Sequence, residues 1–73
     1  MKVIRPEQRL ANAIIVQAVK DYRTALAGHS IERHKPKKVI SDVERFFRSD
    51  WYYFLTDVDG ERLMKEVREE LGL

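Results

Sequence analysis

Between Pro6 and Gly28, nine apolar residues recur at steps of three and four: Leu10, Ala11, Ile14, Ile15, Ala18, Val19, Tyr22, Ala25 and Leu26. That spacing belongs to an α-helix with one covered face. Pro6 suits a first helical position, where its missing N–H costs nothing, and Gly28 suits the stop. At about 100° per residue the apolar set fills roughly half the helix circumference. Asp21 intrudes at one edge. Arg9, Asn12, Lys20 and Arg23 occupy the opposite face, with Val16 among them. A face this wide needs other elements to cover it, and a chain of 73 residues supplies one domain at most.

The rest of the chain supplies those elements. Residues 28–36 read as a loop bracketed by Gly28 and Pro36. Pro36 opens a second helix, in which Val39, Ile40, Val43, Phe46 and Phe47 form an apolar stripe. Asp42, Glu44, Arg45 and Arg48 face away from it. Ser49-Asp50 has the chemistry of a cap and a break. The alternative is one helix from 37 to 55, because Phe47, Trp51 and Phe54 would continue the stripe; the break is preferred. The aromatic segment Trp51-Tyr52-Tyr53-Phe54-Leu55 follows. Trp51, Tyr52 and Leu55 share one side, Phe54 lies beside them and Tyr53 opposite. Residues 56–60 form a turn. A last helix from about 60 to 71 buries Leu63, Met64, Val67 and Leu71, with Glu61–Lys65 and Lys65–Glu69 as supporting pairs. Strand signals and internal repeats are absent.

The expected fold is therefore all-α: three main helices plus a short aromatic helical segment, with the first helix packed across the others. The expected core includes Leu10, Ile14, Val19, Phe46, Phe47, Trp51, Leu63 and Val67. Truncating Phe47 or Trp51 to Ala is expected to cost roughly 3–5 kcal/mol.

Composition narrows the chemistry. There is no cysteine, so disulfides, thiolate metal sites and cysteine nucleophiles are excluded. The start, Met1-Lys2-Val3-Ile4-Arg5-Pro6, lacks the apolar core of a signal peptide. The longest apolar run, Ala13-Ile14-Ile15-Val16, is far short of the ~20 residues that span a bilayer. A cytoplasmic protein with no membrane association is expected. His29 and His34, even helped by Glu32, make a poor metal site without a clear third ligand. Asp57, Asp59, Gly60 and Glu66 mimic part of a calcium loop, but its first position falls on Leu55, which has no oxygen to offer. Helix capping explains both aspartates. Ser30 beside His29 has no orienting acid, and no nucleophile or phosphate-loop motif is present. Neither an enzyme nor a small-molecule cofactor is expected.

Two segments carry binding signals. Residues 1–38 hold nine basic and three acidic side chains, net +6. Residues 39–73 hold five basic and nine acidic, net −4. Within the basic half, Arg33, Lys35, Lys37 and Lys38 are set to contact phosphates, joined by Arg9, Lys20 and Arg23 of the first helix. Lys37 and Lys38 stand at a helix start, where positive charge is unfavourable, so helix stability does not explain them. A helix-turn-helix reading fails, because its recognition helix would begin Asp50-Trp51-Tyr52-Tyr53, acidic and aromatic. The second signal is that aromatic run. Tyr and Trp are preferred anchors of protein interfaces, and Trp51, Tyr52 and Tyr53 are the candidate contacts for a protein partner or a second copy. Protein–protein interaction is the first expectation; nucleic-acid binding is the alternative.

The stretch Glu44-Arg45-Phe46-Phe47-Arg48-Ser49-Asp50-Trp51-Tyr52, with Leu55-Thr56-Asp57-Val58-Asp59-Gly60-Glu61, resembles small helical proteins of prophages and mobile elements of Gram-positive bacteria. Leu10 to Ile15 and Tyr22-Arg23 fit the same likeness. The resemblance implies a setting, a bacterial cytoplasm and an accessory gene, often one encoding a regulator or antagonist of host machinery such as an anti-defence protein. It implies no catalytic residue or cofactor.

Overall fold

The computed structural model describes residues 6–73, with side chains from Glu7 onward. Most of the stretch read for a signal peptide, residues 1–5, lies outside the described residues. Four helices follow in order: α1 (Pro6–Leu26), α2 (Pro36–Phe47), α3 (Asp50–Leu55) and α4 (Gly60–Glu70). The chain is all-helical, as the periodicity predicts; α1 packs against each of the other three.

Local chemistry sets each boundary. Gly28 adopts φ +88°, turning the chain out of α1. The Gly28 N–H donates to the Ala25 carbonyl at 2.9 Å and the His29 N–H to the Thr24 carbonyl at 3.1 Å. The loop beyond is tighter than its sequence indicates. Ile31 and His34 exchange backbone hydrogen bonds of 3.2 and 2.9 Å, with Glu32 at φ +55°. The break between α2 and α3 is real and rests on Ser49. Its hydroxyl donates to the Phe46 carbonyl at 2.6 Å and accepts from the Tyr52 N–H at 3.2 Å, serving one helix end and one helix start. Asp59 caps α4 by accepting from the Glu61 N–H at 3.0 Å.

The core is a cluster of Tyr22, Val43, Phe47, Tyr52, Met64 and Val67. Phe47 is its centre: its ring lies 6.3 Å from Tyr22, 5.4 Å from Phe46 and 5.2 Å from Tyr52, all tilted or edge-on. Val19, Phe46 and Leu63 pack around it. Ile14 is half-buried on an open apolar groove between α1 and α2.

Two expected core residues are outside. Leu10 is 65% exposed and Trp51 53%. Leu10 stands about 100° round the helix from buried Ala11, at the edge of the stripe, and the partner helices are little more than half as long as α1. Trp51 lies on the stripe of α2 only if the helix is continuous. The interruption at Ser49 resets the helical phase, so Tyr52 turns inward and Trp51 outward. Tyr52, expected as a contact residue, is fully buried. In α4, Glu61 pairs with Arg48, the residue after α2, at 2.6 Å instead of Lys65, while Lys65–Glu69 closes only to 3.9 Å.

Candidate functional site

With Tyr52 locked in the core, the helical period places its neighbours. At about 100° per residue, Tyr53, Asp50, Phe54 and Trp51 follow one another around the face of α3 opposite Tyr52. Trp51 and Phe54 stack, with ring centroids 5.8 Å apart and planes 13° from parallel. Phe54 is 80% exposed and Tyr53 48%. Tyr53 leans edge-on against Tyr52, with centroids 5.1 Å apart. Val58, in the loop leaving α3, is also exposed. The result is an aromatic ledge on a six-residue helix, anchored through one buried ring. Asp50 precedes these rings on α3, and Asp57 and Asp59 follow in the next loop; all three are exposed and none is in an ion pair among the described residues. Phe54 is the most exposed aromatic ring described.

The basic candidates do not form one patch. Arg9 and Lys20 are exposed on the side of α1 away from its buried Ala11, Tyr22 and Ala25. Lys37 and Arg45 lie on the side of α2 away from Val43 and Phe47. Because α1 and α2 meet through their buried faces, the two basic faces point apart. Arg23 is held by Glu70 of α4 at 3.0 Å and Lys38 by Asp42 at 3.2 Å. Arg33, at the tip of the 31–34 turn, and Lys35, Lys37 and Arg45 are exposed and have no ion pair among the described residues.

One polar cluster escaped the sequence reading. The Tyr22 hydroxyl donates to Glu44 Oε2 at 2.8 Å and accepts from Arg68 Nε at 2.9 Å. Arg68 also bonds Glu44 directly. Burial works against the Glu44 charge, but bonds from Tyr22 and Arg68 and the charges of Arg68 and Arg48 outweigh it, so its pKa lies below the ordinary value. The Tyr22 pKa is raised, first by burial and then by its bond to Glu44, against the pull of Arg68. This triad ties α1, α2 and α4 together and fixes their mutual rotation. The members are 22 and 24 residues apart in sequence, so no local pattern could have announced them.

The residues weighed for metal binding sit otherwise. His29 and His34 are exposed in the loop, Asp59 caps α4, and Glu66 pairs with Arg62 at 3.2 Å. Among the described residues no cluster of three His, Asp or Glu side chains is placed to hold a metal ion. No helix among them is long and apolar enough to cross a membrane. Comparison with models of known families, with curated proteins and with solved structures gave no match.

Proposed function

We propose that this chain is a non-enzymatic protein-binding module whose contact surface is the ledge of Trp51, Tyr53 and Phe54. The observation that carries the reading is the stacked, outward-facing Trp51–Phe54 pair. A small fold that leaves two large rings in water forgoes the stabilisation of burying them, and aromatic anchors are the side chains that dominate binding energy at interfaces. The acidic rim chooses the partner. Ledge-to-ledge pairing of two copies brings Asp50, Asp57 and Asp59 against their counterparts, and like charges facing one another disfavour association. A partner with an apolar socket and a basic rim satisfies both the rings and the carboxylates, and its Arg or Lys side chains gain further from the face of Trp51.

The setting we propose is a bacterial cytoplasm and an accessory gene of a prophage or mobile element, with the partner belonging to host machinery, as for a regulator or an anti-defence protein. Support for this is the likeness of the Glu44–Tyr52 and Leu55–Glu61 stretches described above.

Trp51 is the only tryptophan, so its fluorescence reports directly on the ledge. Capture from nuclease-treated host lysate identifies the partner, and titration of the purified partner against the chain tests the surface. The expected result is a saturable change in Trp51 emission, and at least a tenfold loss of affinity in Phe54→Ala. Unchanged affinity in Phe54→Ala, or a dimer in sedimentation that Phe54→Ala abolishes, overturns the reading.

A further inference from the structure

We infer that the outer face of α2 is a second, separate site that holds the phosphodiester backbone of nucleic acid without reading its sequence. The carrying observation is a shallow concavity of about 490 Å³ lined by Lys35, Lys37, Lys38, Ser41 and Arg45, with Asp42 its one acidic member. A neighbouring hollow of about 660 Å³ shares Lys37, Ser41 and Arg45 and continues toward Arg48. The two hollows flank the same row of Lys37, Ser41 and Arg45.

Its acidic neighbours are already spoken for. Asp42 is neutralised by Lys38 at 3.2 Å, and Glu44 is engaged by Tyr22 and Arg68. Arg48 is likewise committed, to Glu61 at 2.6 Å. What remains is Lys35, Lys37 and Arg45, joined by Arg33 on the adjoining turn, with the Ser41 hydroxyl between them. Lys37, Ser41 and Arg45 are spaced at i, i+4 and i+8, a row about 12 Å long at 1.5 Å per residue. A row of that length is long enough to meet one strand at more than one phosphate.

Arg45 stands in the last turn of α2, where the helix dipole favours a cation, but folding does not account for the lysines at the helix start. The first turn of α2 carries no acidic side chain, and its cap residue Lys35 makes no side-chain bond to the helix. Cations at a helix start oppose the helix dipole, so their placement costs stability and helps only a ligand of negative charge. A phosphodiester strand fits better than a single anion, because the charges are strung out instead of converging on one point. Lys and Arg on phosphate position a strand without discriminating bases, and α2 carries no Asn or Gln to read an adenine edge beside them. The cations of α1 face elsewhere, so the row supplies about three to four phosphate contacts.

The test is binding of a labelled mixed-sequence duplex and a labelled single-stranded RNA, followed by anisotropy from 50 to 200 mM salt. The expected result for duplex is a linear fall of log K with log salt, with a slope of about −3, near −0.9 per phosphate neutralised. Lys37→Gln and Arg45→Gln each reduce the slope by about one, while Arg9→Gln and Lys20→Gln leave it unchanged. All four residues are exposed, and circular dichroism melts confirm that the variants fold. Binding of RNA through the same row, with the same variants weakening it, is the expected companion result. No binding of either strand type at 50 mM salt overturns the inference. So does full binding by the Lys37→Gln, Arg45→Gln double variant, or a loss that tracks Phe54→Ala instead, which would move the contact to base stacking on the ledge. The ledge proposal stands or falls separately, since its readout is Trp51 and a protein partner.

Discussion

Gly60 and Phe47 meet backbone to backbone: a Cβ built on Gly60 would lie 2.2 Å from the Phe47 carbonyl oxygen and 3.2 Å from the Tyr52 ring. The start of α4 thus passes directly over the end of α2, at the centre of the aromatic core. The carbonyl is backbone and cannot rotate aside. Gly60→Ala is therefore expected to cost about 3 kcal/mol, at the upper end for overpacking. In a domain this small that lowers the melting temperature by more than about 10 °C. A melt within 2 °C of the parent would show that α4 can shift freely, against the close approach described.

Phe47 of α2 and the rings of the aromatic segment separate by role. Phe47→Ala is expected to cost roughly 3–5 kcal/mol, because it empties the middle of the core. Trp51→Ala and Phe54→Ala remove exposed rings and are expected to change stability by less than about 1 kcal/mol. Urea unfolding of the three variants checks the order. A Trp51→Ala midpoint as low as that of Phe47→Ala would return Trp51 to the core.

Tyr52 is buried to the last atom, and its hydroxyl has no hydrogen-bond partner among the described residues. A buried polar group left unpaired costs about 1–3 kcal/mol. Tyr52→Phe keeps the ring contacts with Phe46 and Phe47 and deletes that cost. The expected outcome is a melting temperature equal to or above the parent's. A drop of several degrees would mean that the hydroxyl is bonded in solution.

The Glu44 triad makes stability depend on pH in a definite direction. The folded-state pKa of Glu44 lies below the ordinary value of 4.5. Its contribution is complete above that value and is lost as pH falls below it, through the lower folded-state pKa. On the alkaline side, Tyr22 and Tyr52 are both raised above 10.0, burial being the first cause in each. Their share is complete below pH 10 and is lost as pH climbs past it. Urea midpoints measured from pH 2 to 5 should fall with acid in the parent and fall less steeply in Glu44→Gln. Parallel acid limbs would remove Glu44 from this role.

The period of the apolar residues was enough to read α1, α2 and α4, because a long helix repeats its instruction every turn. Val19, Phe46, Phe47, Leu63 and Val67 were legible as packing residues for that reason. The six residues of α3 repeat nothing, so their orientation depends on the hydrogen bonds of Ser49, which a pattern of apolar spacing does not contain. That is why Trp51 and Tyr52 exchanged places relative to expectation. At the candidate sites, the residue types were readable and their company was not. Lys37 stood out as a cation in the wrong place on a helix, but the contribution of Arg45 required knowing that Asp42 and Glu44 were occupied. The separation of the α1 cations from those of α2 depends on which faces the helices press together, a property of the pair and not of either helix.

Ser49 governs more than a helix boundary. By ending one spiral and starting another at a fresh angle, its single oxygen decides which ring the molecule keeps for itself and which it displays. Were α2 to run on unbroken, Trp51 and Phe54 would rotate inward and the outward aromatic shelf would vanish, with hardly a change in composition. A hydroxyl of a few atoms therefore acts as the hinge between a sealed interior and a surface able to meet other molecules.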